Sequence, residues 1–208
     1  MKKIAIYIFN EVEELGLNII YNILKKTETL KEAKILPIEE PLQVDLISQD
    51  QQVIMTKEMQ ITPNRIGLEF DDYDILIIPG GSGVDTIVQN EEFLRKIAEF
   101  GKDQNKIICS IGLGSFALAL AGLLENKKAT THHKHFLRLQ KYCTVENKRI
   151  VVDENVITVG GMMCAVDLAY EIIEICYSKS IADIMLDYIE AVKRSKGIRL
   201  DLGEIDKE

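Results

Sequence analysis

Tryptophan is absent from the 208 residues, aromatics reach only 6%, and there are three histidines. The aromatic set is lean, but 47% hydrophobic and 28% charged residues place the chain among ordinary globular proteins and exclude a disordered one, apart from the last few residues. No repeat, low-complexity tract or linker interrupts it. At this length we expect one domain, residues 1–208, with one core. Basic charge is scarce: 25 Lys and Arg against 33 Asp and Glu give a net charge of -8. A polyanion would meet a repelling field, so nucleic acid is excluded as a partner. The N-terminal run IAIYIF is too short for a secretory h-region and has no small-residue cleavage site. We therefore expect a cytoplasmic protein without membrane contact. The four cysteines, Cys109, Cys143, Cys164 and Cys176, show no CxxC spacing, and three lie in apolar segments. They read as buried thiols in a reducing compartment, with no disulfide or metal site. Neither GxxxxGK[ST] nor GxGxxG occurs, and no cofactor is implied.

What is present is an alternation of strand and helix. Residues 4–9 form a continuous apolar run, as in a strand covered on both faces, and residues 15–24 then show helical periodicity. Residues 27–41 are polar and end in proline, which predicts a connection, before a second strand at 42–48. Residues 52–62 alternate like a hairpin closed by Pro63. Strands are predicted at 74–78 and 106–110, with an amphipathic helix at 91–102 between them. A helix over 116–124 is apolar nearly all round and should be central. Residues 149–152 and 156–159 read as a hairpin around DEN, and helices at 163–177 and 181–193 finish the domain. This order predicts an α/β fold: a flavodoxin-like three-layer sandwich with a mostly parallel sheet. In such sheets ligands lie at the carboxyl ends of the strands.

Two of those ends are glycine-rich, PGGSG at 79–83 and SIGLGS at 110–115. A strand turning abruptly into a helix can hold one residue strained, with its side chain aimed into the cleft. Backbone N–H groups after the turn, here Leu113, and one from a neighbouring loop, here Gly81, can then stabilise a developing oxyanion. Spacing alone favours reading these glycines as close-packing residues between strand and helix.

DYDILIIPGGSG, SIGLGSFALALAGLLENKKATTHH and VVDENVITVGGMMCAVDLAYEII resemble successive blocks of the ThiJ/PfpI superfamily. Within it the pattern is most similar to the isonitrile hydratase branch and the matching domain of AraC-type regulators. The resemblance covers about residues 1–177, leaving 178–208 as a C-terminal helix and tail, and implies a flavodoxin-like fold related to class I glutamine amidotransferases. It implies a cysteine nucleophile in a pattern similar to S-[VI]-C-T-G-A. Set against it, Gly112 occupies the cysteine position and Leu113 the threonine position. It also implies a carboxylate in a segment like V-x-x-L-D-L, whose place in VEELGL is taken by Gly16. Thiolate chemistry needs an ionisable sulfur and a group to set its protonation, and glycine supplies neither. Loss of both together points to a catalytically degenerate site with no catalytic residue of its own.

Other groups could stand in. Cys109 lies inside the strand and is expected to be packed. Cys164 begins a helix beside the cleft, where a thiol pKa can fall, but Met162 and Met163 make that wall apolar. Glu13 and Glu14 flank Gly16 and are expected to face solvent. His132, His133 and His135 cluster after Thr130 and Thr131 without an accompanying carboxylate, so His132 is read as edging the cleft rather than binding a metal. Asp167 reads as a first-turn helix carboxylate. The expected ligand residues are Gly81, Gly112, Leu113, His132 and Met163, for a small molecule or anion. The alternative is an active isonitrile hydratase-like or amidase-like enzyme with another nucleophile. About thirty residues follow Tyr177, too few for the helix-turn-helix domain of an AraC-type regulator. The resemblance also implies a homodimer.

Overall fold

The computed structural model describes residues 2–189. A seven-stranded sheet forms its centre. From one edge it runs β10 (Ile150–Asp153), β11 (Val156–Val159), β7 (Ile107–Ile111), β6 (Ile75–Ile78), β1 (Lys3–Tyr7), β2 (Gln43–Ser48) and β5 (Arg65–Ile66). Every pairing is parallel except β10 with β11. This is the expected α/β, flavodoxin-like arrangement, and its central strands are buried end to end because helices cover both faces.

Helix α1 (Glu14–Glu32) packs against α6 (Ala165–Cys176), and α6 against α7 (Lys179–Tyr188). Helix α3 (Glu91–Lys102) packs against α4 (Ser115–Leu120), which also meets the short α2 (Val84–Ile87) and α5 (Phe136–Leu139). The hairpin β3 (Val53–Ile54) with β4 (Gln60–Ile61) stands outside the main sheet, as does the small pair β8 (Lys128–Ala129) with β9 (Thr144–Val145).

Two boundaries differ from the sequence reading. Helix α1 continues to Glu32, through residues assigned to a connection. Its polar stretch is used inward: Thr27 is fully buried, donates to the Leu24 carbonyl at 2.8 Å and accepts from Leu42 N–H at 3.1 Å, while Leu30 enters the core. Helix α4 stops at Leu120 instead of residue 124. Gly122 takes φ +77°, and Leu123 N–H returns to the Leu118 carbonyl while Gly122 N–H returns to that of Ala119. That is a Schellman stop, which glycine makes easy. The last helix of the sequence reading extends beyond residue 189, so its end and the tail lie outside the described residues.

The predicted hairpin near the C-terminus forms, with Glu154 at φ 54° in its turn. Buried Asn155 donates to the carbonyls of Gly101, Asp103 and Lys106, fastening the hairpin to the turn between α3 and β7.

Candidate functional site

The chain leaves β7 into a short 3-10 turn, Gly112–Gly114, and then α4. Gly112 sits at φ +52°, the left-handed region that a side chain enters only at a cost of about 1–2 kcal/mol. A Cβ built there would meet only the Gly160 carbonyl, at 3.3 Å. The bend is therefore shaped like one that presents a side chain, with open space in front of it. Thr131 secures it by donating its hydroxyl to the Gly112 carbonyl at 2.8 Å.

Gly81, in the loop after β6, has φ +138°, and a Cβ on it would lie 2.2 Å from the Glu11 carbonyl. Only glycine lets this loop press against the turn between β1 and α1, where Glu13 N–H bonds the Gly80 carbonyl at 2.9 Å. The same loop runs beside Leu113, whose backbone nitrogen lies 3.4 Å from the Cβ position of Gly80. Gly16 faces the bend from α1: its Cβ position is 3.6 Å from Ile111, the residue before Gly112, and 3.4 Å from the Met162 backbone. The two glycines at the resemblance's nucleophile and acid positions thus border one bend.

The opposite wall is a second 3-10 turn, Met162–Cys164, with Met162 and Met163 exposed. Arg149 holds it in place by donating to the Met163 carbonyl at 3.2 Å and pairing with Asp167 in the first turn of α6. Asp167 thus does more than favour the helix end. His132 caps the following turn. Its Nδ1 accepts Lys134 N–H at 3.4 Å, and its ring edge reaches within 3.3 Å of the Cβ position of Gly161. Burial, followed by the charges of His133, His135 and Lys134, lowers the His132 pKa, so the imidazole stays neutral near neutral pH.

Glu13 and Glu14 do not face solvent. Glu13 caps α1, accepting from Leu15 N–H at 2.9 Å and Gly16 N–H at 2.8 Å, which places its Oε2 3.0 Å from the Cβ position of Gly16. Glu14 is buried and accepts from the Thr56 hydroxyl and Lys57 N–H, pinning the β3–β4 hairpin to the start of α1. Burial raises its pKa, but these hydrogen bonds and the Lys57 charge outweigh it and leave the group below the ordinary 4.5. Glutamate is not among the favoured capping residues, and a charged pair before a helix reads as surface, so sequence patterning carries little signal for either role.

None of the four thiols is poised for attack. Cys109 is fully buried, and burial drives its pKa far up. Cys164 lies behind Gly160, its sulfur 3.3 Å from that residue's Cβ position, and burial raises its pKa despite the nearby Arg149 charge. Cys143 and Cys176 are raised by burial as well, the latter to about 11. The hydroxyls of Ser110 and Ser115, on either side of the bend, are fully buried. Among the described residues no group of three or more His, Cys, Asp or Glu could hold a metal ion, and no helix is long and apolar enough to cross a membrane.

Comparison with known proteins places this architecture. Isonitrile hydratase of Pseudomonas putida is 30% identical over 169 residues, covering 80% of this chain and 68% of that protein. Protein DJ-1alpha of Drosophila melanogaster is 29% identical over 104 residues, and the match spans about half of each chain, 50% and 48%. The structure of Schizosaccharomyces pombe DJ-1 superposes with a TM-score of 0.77 at 22% identity, covering 91% of this chain and 100% of that one. Drosophila melanogaster DJ-1beta gives 0.80 at 18% identity, over 92% and 99%. The pattern of the DJ-1/PfpI family matches residues 2–175, nearly the whole of the described structure. The chain belongs to the DJ-1/PfpI family.

Proposed function

We propose that this protein is a non-catalytic member of its family that keeps the cleft at Gly112 as a small-molecule or anion site with a structural or regulatory role. The observation that carries this reading is the bend after β7. It retains φ +52° and the space for a projecting side chain, yet a hydrogen stands where the family resemblance implies a thiol. Gly16, at the implied acid position, borders the same bend. The raised pKa values and burial of Cys109 and Cys164 support the reading, because a thiol nucleophile acts as its thiolate.

The test is occupancy. Crystals soaked in acetate or phosphate are expected to gain density at Gly112, within reach of Leu113 N–H and Gly81; an empty, collapsed bend at every concentration would count against a retained site.

A second reading is favoured by the likeness to isonitrile hydratase: an active isonitrile hydratase-like or amidase-like enzyme with another nucleophile. It ranks lower because no thiol or serine hydroxyl near the bend is exposed. A homodimer and a cytoplasmic location accompany the first reading. Sedimentation at twice the chain mass would support the dimer, and sedimentation at the chain mass would remove it.

A further inference from the structure

Residues 127–149 contain seven Lys and Arg against one Glu in a chain whose net charge is -8. In the fold, most of these cations meet acids: Lys127 pairs with Glu154, Lys128 and Lys148 with Glu146, Arg138 with Asp85, and Arg149 with Asp167. Lys134 has no such partner among the described residues, and it sits inside the histidine tract. The ring centroids of His132 and His133 are 4.3 Å apart, and those of His132 and His135 are 6.0 Å apart. Three imidazoles and one ammonium are thus grouped on one short turn.

Acids of the surrounding elements have partners of their own. Both oxygens of Glu13 are engaged by Leu15 and Gly16 N–H, Asp167 is taken by Arg149, and Asp85 by Arg138. Because Nδ1 of His132 accepts a backbone N–H, its proton is on Nε2, which lies 4.0 Å from the Cβ position of Gly161. The neighbouring residue, Gly160, turns its carbonyl toward the hollow at Gly112. The hollow and the His132–Lys134 corner therefore border two consecutive residues, Gly160 and Gly161. Beside them the wall is apolar, with Met162 41% and Met163 56% exposed and Leu113 half-buried.

Resting on the cleft reading above, we propose that the site takes a short-chain monocarboxylate. Its charged group lies between the Gly112 hollow and the His132–Lys134 corner, and its hydrocarbon chain lies against Met162, Met163 and Leu113. One lysine and one imidazole N–H suit a single negative charge, and the thioethers and leucine suit a chain of a few carbons.

Butyrate and butyramide, equal in shape and different in charge, provide the test. They are titrated into the ¹⁵N-labelled protein while the amide signals of Gly112, Leu113 and Gly161 are followed. Butyrate is expected to bind about tenfold tighter than butyramide, the scale of a hydrogen bond to a charged group. Lys134→Gln, at an exposed side chain, is expected to bring butyrate down to the butyramide level, and His132→Gln is expected to weaken butyrate more than butyramide. Equal affinities in the native chain, or an undiminished preference in both variants, would overturn the proposal. Equal shifts with both probes leave the cleft reading standing and remove only this inference; no shift with either removes both.

Discussion

Gly112→Cys is expected to turn a chain that resists alkylation into one that reacts rapidly at a single position. At pH about 7.5 a thiol near its ordinary pKa is roughly one-tenth thiolate, while one raised to about 11, as Cys176 is, holds several hundredfold less. The native thiols are all raised by burial, and two of them are almost completely enclosed. A Cβ at residue 112 would have the Gly160 carbonyl, at 3.3 Å, as its one close neighbour beyond the adjoining residues. Iodoacetamide should therefore modify residue 112 of the variant about a hundredfold faster than Cys176, with the label mapped by mass spectrometry. The φ of +52° should cost the variant about 1–2 kcal/mol of stability. An unreactive thiol in a folded variant would mean that the bend is closed.

Returning the second partner is harder, for a reason visible in the structure. A Cβ on Gly16 lies 3.0 Å from Glu13 Oε2, the oxygen that accepts Gly16 N–H. A carboxylate at residue 16 would crowd the cap of α1 and set two negative charges side by side. The start of α1 is thus built around the glycine, which accords with a site whose two positions changed together.

The second large effect concerns Glu14. Glu14→Ala is expected to lower stability by about 2 kcal/mol at neutral pH, because a buried carboxylate accepting a hydroxyl and a backbone N–H is lost. The sign with pH follows from the depressed folded-state pKa. The contribution is full above the unfolded value, near 4.5, and disappears as pH falls through the lower folded value. The gap between native and variant urea midpoints should therefore narrow on acidification from about pH 6 to about pH 3. Glu14→Gln, similar in shape and uncharged, should lose the acid-dependent part. A gap independent of pH would place the stabilisation elsewhere.

These residues also mark what patterning could and could not reveal. The alternation of strand and helix, the buried central strands and the bend after β7 were legible because each is written locally, in runs such as DILII and in glycines after a strand. The path of α1 past Thr27 was not, because a polar residue there is satisfied by Leu42, fifteen positions away. Burial of Glu14 likewise depends on a hairpin more than forty residues downstream. Helix α4 was read too long because AGLL is apolar, although Gly122 within it carries the stop. At the site, the glycines that define the bend could be named from sequence. The ionic clamp of Arg149 on Asp167, the Glu13 cap and the uncompensated corner at Lys134 are products of tertiary placement.

The most direct test of the central claim, an intact elbow without its nucleophile, is turnover by the native purified chain on a panel of alkyl and aryl isonitriles and simple amides. No product above the buffer rate is expected for any of them. Turnover that survives purification and disappears in Cys164→Ala would contradict it, because a thiol now placed behind Gly160 would then be carrying the reaction.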